Sequence, residues 1–149
     1  MKPVLFAGAL LAIAACASTP PRPEQALLGT WACESKVDDT TIKGDITYLA
    51  GGAANLAIAI SGAGQVVFEA TGTGEGSWKL SQDGAQLEET VTKLNVVSAK
   101  ANGNDIPPAL AQAFVEPALP DLNATSKIEL GSDRLVKTGT DGTVTNCTR

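Results

Sequence analysis

The sequence predicts an all-β protein: an antiparallel up-and-down meander of eight or nine short strands that closes into a barrel, with one short helix in a long loop. Three observations carry that prediction. From Leu27 onward apolar residues recur with period two. Glycine-containing turns punctuate the runs at hairpin spacing. Cys33 and Cys147 stand near opposite ends of the patterned region, where a closed barrel brings its first and last strands together. The length of 149 residues suits one domain, and 44% hydrophobic residues supply its core.

The chain opens on an address rather than a fold element. Lys2 gives a positive start, and Val4 to Ala15 is an unbroken run of twelve apolar or small residues. That suits a secretory signal peptide, residues 1–15, and falls short of the ~20 residues of a membrane-spanning helix. The run ends Ile13-Ala14-Ala15-Cys16, which resembles the lipobox of bacterial lipoproteins. The resemblance implies that Cys16 is acylated on sulfur, becomes the first mature residue and is N-acylated. Several acyl chains at ~0.8 kcal/mol per buried CH₂ make a stable membrane anchor. Ala17 after the Cys implies, by the same analogy, the outer membrane, with the barrel facing the periplasm. Processing removes Lys2 and takes the net charge from −5 to −6. Ala17 to Gln25, with Pro20, Pro21 and Pro23, reads as an extended tether, so the lipidated Cys and tether occupy residues 16–25 and the barrel residues 26–149.

The strands follow in order. Leu27 to Val37 places Gly29, Trp31 and Cys33 on one face, and Thr41 to Ala50 places Ile42, Ile46 and Tyr48 together. Gly51-Gly52 marks a hairpin turn. Ala54 to Ser61 aligns Leu56, Ile58 and Ile60, and Gln65 to Thr71 aligns Val66, Phe68 and Ala70. Ser77 to Leu80 turns Trp78 and Leu80 inward, and Gln86 to Leu94 carries Leu87 and Val91 with Glu89 between them. Lys127 to Leu130, Arg134 to Thr138 and Val144 to Thr148 finish the meander. The interruption at 101–123 predicts a helix from Pro107 or Pro108, capped by Asp105, with Leu110, Phe114 and either Ala111 or Val115 on its apolar face and Pro117 and Pro120 stopping it. That loop is either a lid or a plug in one barrel end.

In an exported chain the pair Cys33 and Cys147 predicts a disulfide. Two Cys without any His do not make a metal site, so no metal and no other cofactor is expected.

Leu28-Gly29-Thr30-Trp31 resembles the Gly-x-Trp opening of the lipocalin and calycin barrels, and Gly76 to Leu80, Leu87 to Thr92 and Asp141 to Val144 resemble stretches of small bacterial lipocalin-like domains. The resemblance implies a lipocalin-like barrel over residues 26–149 in which Trp31 closes one end against a cation, for which Arg134, Lys137 and Arg149 are available. The chain is shorter than true lipocalins and matches none of their other fingerprint segments.

Catalytic chemistry is not evident. The absence of His removes Ser–His and Cys–His nucleophiles. Neighbouring carboxylates Glu88–Glu89 and Asp38–Asp39 point to opposite faces of a strand. Gly72, Gly74 and Gly76 lack the Lys and helix of a phosphate loop. A net negative charge argues against a nucleic-acid partner. The expectation is therefore a non-enzymatic protein with no catalytic residues, whose partners are the membrane, through its lipid, and a small apolar molecule held inside the barrel. The ligand-binding candidates are Trp31, Tyr48, Ile58, Phe68, Trp78, Glu89 and Phe114. The alternative is an inhibitor or scaffold that binds another envelope protein through its loops. Cavity volume separates the two: an enclosed pocket of ~300 Å³ or more beneath residues 101–123 favours the ligand, and a packed interior with an exposed apolar or acidic loop patch favours the module.

Overall fold

Nine antiparallel strands form one sheet in the order β4-β3-β2-β1-β9-β8-β7-β5-β6, and β4 also pairs with β5. That extra pairing closes eight strands into a ring and leaves β6 attached to the outer edge of β5. The structure, a computed structural model, describes residues 22–116 and 123–149. The signal run 1–15, Cys16, Pro20, Pro21, Pro117 and Pro120 lie outside the described residues. The elements are α1 (Pro23–Leu27), β1 (Gly29–Val37), β2 (Thr40–Tyr48), β3 (Ala53–Ala63), β4 (Val67–Leu80), β5 (Gln86–Ala101), β6 (Asn104–Ile106), α2 (Pro108–Val115), β7 (Ala124–Leu130), β8 (Arg134–Gly139) and β9 (Val144–Thr148).

The expected closure is present. Cys33 of β1 stands opposite Cys147 of β9 in the strand register, and a disulfide joins them across 114 residues of sequence. The β2–β3 turn also follows expectation: Gly51 and Gly52 both take positive φ, +85° and +86°, which a side chain would resist. Inward residues alternate as read for the first three strands, with Trp31 and Cys33 buried on β1 and Tyr48 and Ala54 buried on β2 and β3.

The corner between β4 and β5 departs from the sequence reading. The segments read as two strands, Gln65 to Thr71 and Ser77 to Leu80, are one strand, and Val66 lies before it, exposed. The alternating Gly72, Gly74 and Gly76 do not break β4; they sit on its inner side. A Cβ on Gly74 would stand 2.8 Å from the Lys93 carbonyl oxygen, and one on Gly76 would collide with that of Thr90. Opposite them, two register shifts leave Thr92 and Val97 as extra residues of β5. Each bulge inverts the alternation, so Leu87, Glu89 and Val91 face inward, then Leu94 and Val96, then Ala99. Bare backbone on one strand and bulges on the next let the sheet turn sharply here. The period-two pattern ends at Leu94 in the sequence because the first bulge scrambles it, yet the strand continues to Ala101.

Two helical details are corrected as well. The proline run is not extended up to Gln25: Pro23 begins α1, a first-turn position that suits Pro because no N–H is required there. Asp105 does not cap α2; it lies in β6, 3.6 Å from Lys100, and Pro107 occupies the cap position without a side-chain bond. Leu110 is half exposed, while Ala111 is buried. A polar contact also ties α2 to β5. The Gln112 amide accepts from the Val96 N–H at 2.8 Å and donates to the Leu94 carbonyl at 2.7 Å. Those groups belong to the length of β5 between its pairing with β7 and its pairing with β6. One side chain thus satisfies backbone that no neighbouring strand reaches.

Candidate functional site

One end of the barrel is sealed by the largest buried side chains, Leu27, Trp31, Tyr48, Leu87 and Leu135. Trp31 is 0% exposed and its indole N–H donates to the Leu27 carbonyl at 2.8 Å. The cation over its ring is Arg149, whose guanidinium carbon lies 4.1 Å from the ring centroid. The same guanidinium donates to the carbonyls of Ala26, Leu28 and Ser132 at 2.9, 3.0 and 2.7 Å. Arg134 is exposed at the start of β8, and Lys137 turns inward.

Lys137 meets Glu89. Its ammonium donates to Glu89 Oε2 at 2.8 Å and to Oε1 at 3.1 Å, and the Tyr48 hydroxyl donates to Oε1 at 2.6 Å. The ion pair is mostly withdrawn from solvent, with the side chains 9% and 17% exposed for Lys137 and Glu89. Burial, then the neighbouring Glu89 charge and the hydrogen bond to it, push the Tyr48 phenol far above its ordinary range, so it remains a donor.

Above this pair, away from Trp31, lies a cavity of about 270 Å³. Ile42, Ile46, Leu56, Ile58 and Val91 form its aliphatic wall. Glu89, Lys137, Ser35 and Thr145 supply its polar groups. The volume falls just short of the ~300 Å³ at the lower end of ligand pockets, and the described part of the 101–123 loop does not line it, contrary to the expectation of a pocket beneath that loop. A larger depression of about 610 Å³ is not part of the lumen; residues of the outer face such as Ala32, Lys43, Asp45, Ala57 and Thr73 line it.

The predicted ligand contacts therefore separate. Ile58 and Glu89 line the cavity. Trp31 and Tyr48 do not; they are the packed floor beneath it. Trp78 packs edge-on against Tyr48, with ring centroids 5.8 Å apart, and donates to the Leu49 carbonyl at 3.0 Å, which places it in the same floor. Phe68 is at the far end of β4, opposite Ala101, away from the cavity. Phe114 is on α2, and its side chain lies outside the described residues. The sequence reading missed Ile42, Ile46, Leu56 and Val91 as cavity wall, though it placed them on inner faces, and it missed Lys137 as the partner of Glu89. The signal was present: a carboxylate in phase with Leu87 and Val91 requires a cation, and Lys137 is in phase with Leu135 on β8.

Among the described residues no three His, Cys, Asp or Glu gather as metal ligands. No protein-family model matches the chain, and no curated protein sequence matches it. Among solved structures, a redesigned β-barrel, mFAP1, bound to DFHBI, is similar at 17% sequence identity with a TM-score of 0.40, covering 87% of this chain and 100% of that one. Fold and cavity together define a closed, eight-stranded antiparallel barrel with a small, mixed-polarity lumen.

Proposed function

We propose that the protein is a non-enzymatic, lipocalin-like carrier or sensor that holds a small, largely apolar molecule inside its barrel. The observation that carries the reading is the cavity of about 270 Å³ with aliphatic walls and a polar pair at its base. Eight strands enclose just enough room for one small ligand above a packed floor. The proposal extends to location: Ile13-Ala14-Ala15-Cys16 supports lipidation at Cys16 and anchoring to the outer membrane, with the barrel in the periplasm.

Native mass spectrometry on residues 17–149, which contain every described element, exported to a periplasm and purified without detergent, tests the ligand. A reproducible adduct of small-molecule mass, lost on denaturation, is expected; a clean apo mass counts against the carrier. Cys16→Ser tests the anchor separately: it should abolish globomycin-sensitive processing and acylation, and unchanged maturation would sink the lipobox reading.

A second reading, an inhibitor or scaffold of another envelope protein, draws on the outer depression of about 610 Å³ and on exposed Val66, Val67 and Val97. It predicts a clean apo mass together with a stoichiometric complex with an envelope protein.

A further inference from the structure

We infer that the cavity selects an uncharged molecule with a hydroxyl or primary amide head, and discriminates against the carboxylate and the amine of the same skeleton. The inference rests on the ligand-binding reading and names the ligand class it entails.

Among the described cavity-lining residues two are charged, Glu89 and Lys137, and they cancel. What remains for a ligand follows from counting donors and acceptors. Oε1 of Glu89 accepts from both Tyr48 and Lys137, which uses its two lone pairs. Oε2 accepts from Lys137 and keeps one lone pair. The Lys137 ammonium has three N–H donors and spends at most two on Glu89. Among the described residues the pair thus offers one acceptor and one donor side by side, with Ser35 and Thr145 as further neutral groups in the wall.

A hydroxyl matches that offer without moving anything: it accepts from Lys137 and donates to Glu89 Oε2, while its chain lies along Ile42, Ile46, Leu56, Ile58 and Val91. A primary amide does the same with its carbonyl and NH₂. A carboxylate has two poor choices. It can take the spare Lys137 proton while lying against Glu89, two like charges in a mostly desolvated space, or it can displace Glu89 and strand that carboxylate. An ammonium group meets the mirror problem at Lys137. The neutrality of the pair, rather than its polarity, sets the selection.

The test is titration calorimetry of residues 17–149 at neutral pH with octan-1-ol, octanoate and octylamine. Octan-1-ol is expected to bind at least about tenfold more tightly than either ion. Octanoate or octylamine binding as tightly as the alcohol overturns the inference and leaves the carrier reading standing. Binding by none of the three also overturns it, while the carrier reading is judged independently on its native-mass adduct. Glu89→Gln removes the negative partner at constant size and should swing the preference to octanoate; an unchanged preference for the alcohol counts against the inference. Lys137→Met gives the mirror result, a gain for octylamine, if the first variant does not fold. If neither folds, the wild-type ranking decides.

Discussion

Arg149 closes over Trp31 with its guanidinium carbon 4.1 Å from the ring centroid, and the same group ties together the carbonyls of Ala26, Leu28 and Ser132. One cation therefore joins the approach to β1, the turn before β8 and the barrel floor.

Removing it should be costly for a surface residue. Charge-assisted hydrogen bonds and the ring contact together are worth about 2–3 kcal/mol. Arg149→Ala is expected to lower the denaturation midpoint by that amount at unchanged m-value. Arg149→Lys should recover little, because an ammonium does not span three carbonyls and a ring at once. A neutral Arg149→Ala would show that the closed end needs no lid.

The Cys33–Cys147 bridge spans 114 residues. In the chain-entropy model, so long a loop restricts the unfolded state by about 4–5 kcal/mol. The double variant Cys33→Ala/Cys147→Ala, or wild type in reductant, should unfold at markedly lower denaturant. Two free thiols by non-reducing mass analysis of the exported protein would contradict the bridge itself.

Alkaline pH should loosen the barrel through Tyr48. Its phenol has an ordinary value of 10.0 that burial, the Glu89 charge and the shared hydrogen bond raise well beyond that. Above pH 10 the unfolded chain gives up this proton and the folded one keeps it. The stabilisation is thus complete below pH 10 and declines as pH rises, by up to about 1.4 kcal/mol per pH unit. Tyr48→Phe should unfold more readily at neutral pH, having lost a hydrogen bond, but show a shallower alkaline decline. Parallel slopes for the two proteins would refute the assignment.

Gly44 offers a test of how closely the strands pack. A Cβ there would collide with the Ala57 carbonyl oxygen and lie 3.0 Å from Ile58 Cα, whereas a Cβ on Gly64 meets nothing within 4 Å. Gly44→Ala is expected to cost about 1–3 kcal/mol, in the range of overpacked sites. Gly64→Ala should stay within about 0.5 kcal/mol of wild type, as surface substitutions do.

Much of this fold is legible in the sequence because a barrel wall is a one-dimensional code. Alternation in Ile42–Ile46–Tyr48 and Leu56–Ile58–Ile60 names the inner face directly, and Cys33 with Cys147 names the seam. What the code hides is a change of phase. Thr92 and Val97 each add a residue to β5, and neither announces itself by type. Gly72, Gly74 and Gly76 look like a break because glycine alone does not distinguish a turn from a strand that must be approached closely. The helix α2 is legible from its prolines and Ala111 is buried on it, but the tie from Gln112 to unpaired backbone of β5 is not, because that need is created by tertiary structure. The candidate site was half legible. Glu89 is conspicuous, but assigning Lys137 to it and Arg149 to Trp31 requires knowing which end each strand presents.

The sealed floor also fixes a direction. The chain enters the barrel through α1, beside Arg149, on the side of Trp31, while Ile42, Ile58 and Val91 open the lumen on the other side. The described chain therefore begins at the closed end of the barrel, and the cavity lies toward the other. Entry of the chain and access to the cavity thus fall at opposite ends of one barrel, so a change made at Leu27, Trp31 or Arg149 acts on the closed end and leaves the wall of Ile42, Ile58 and Val91 as it is.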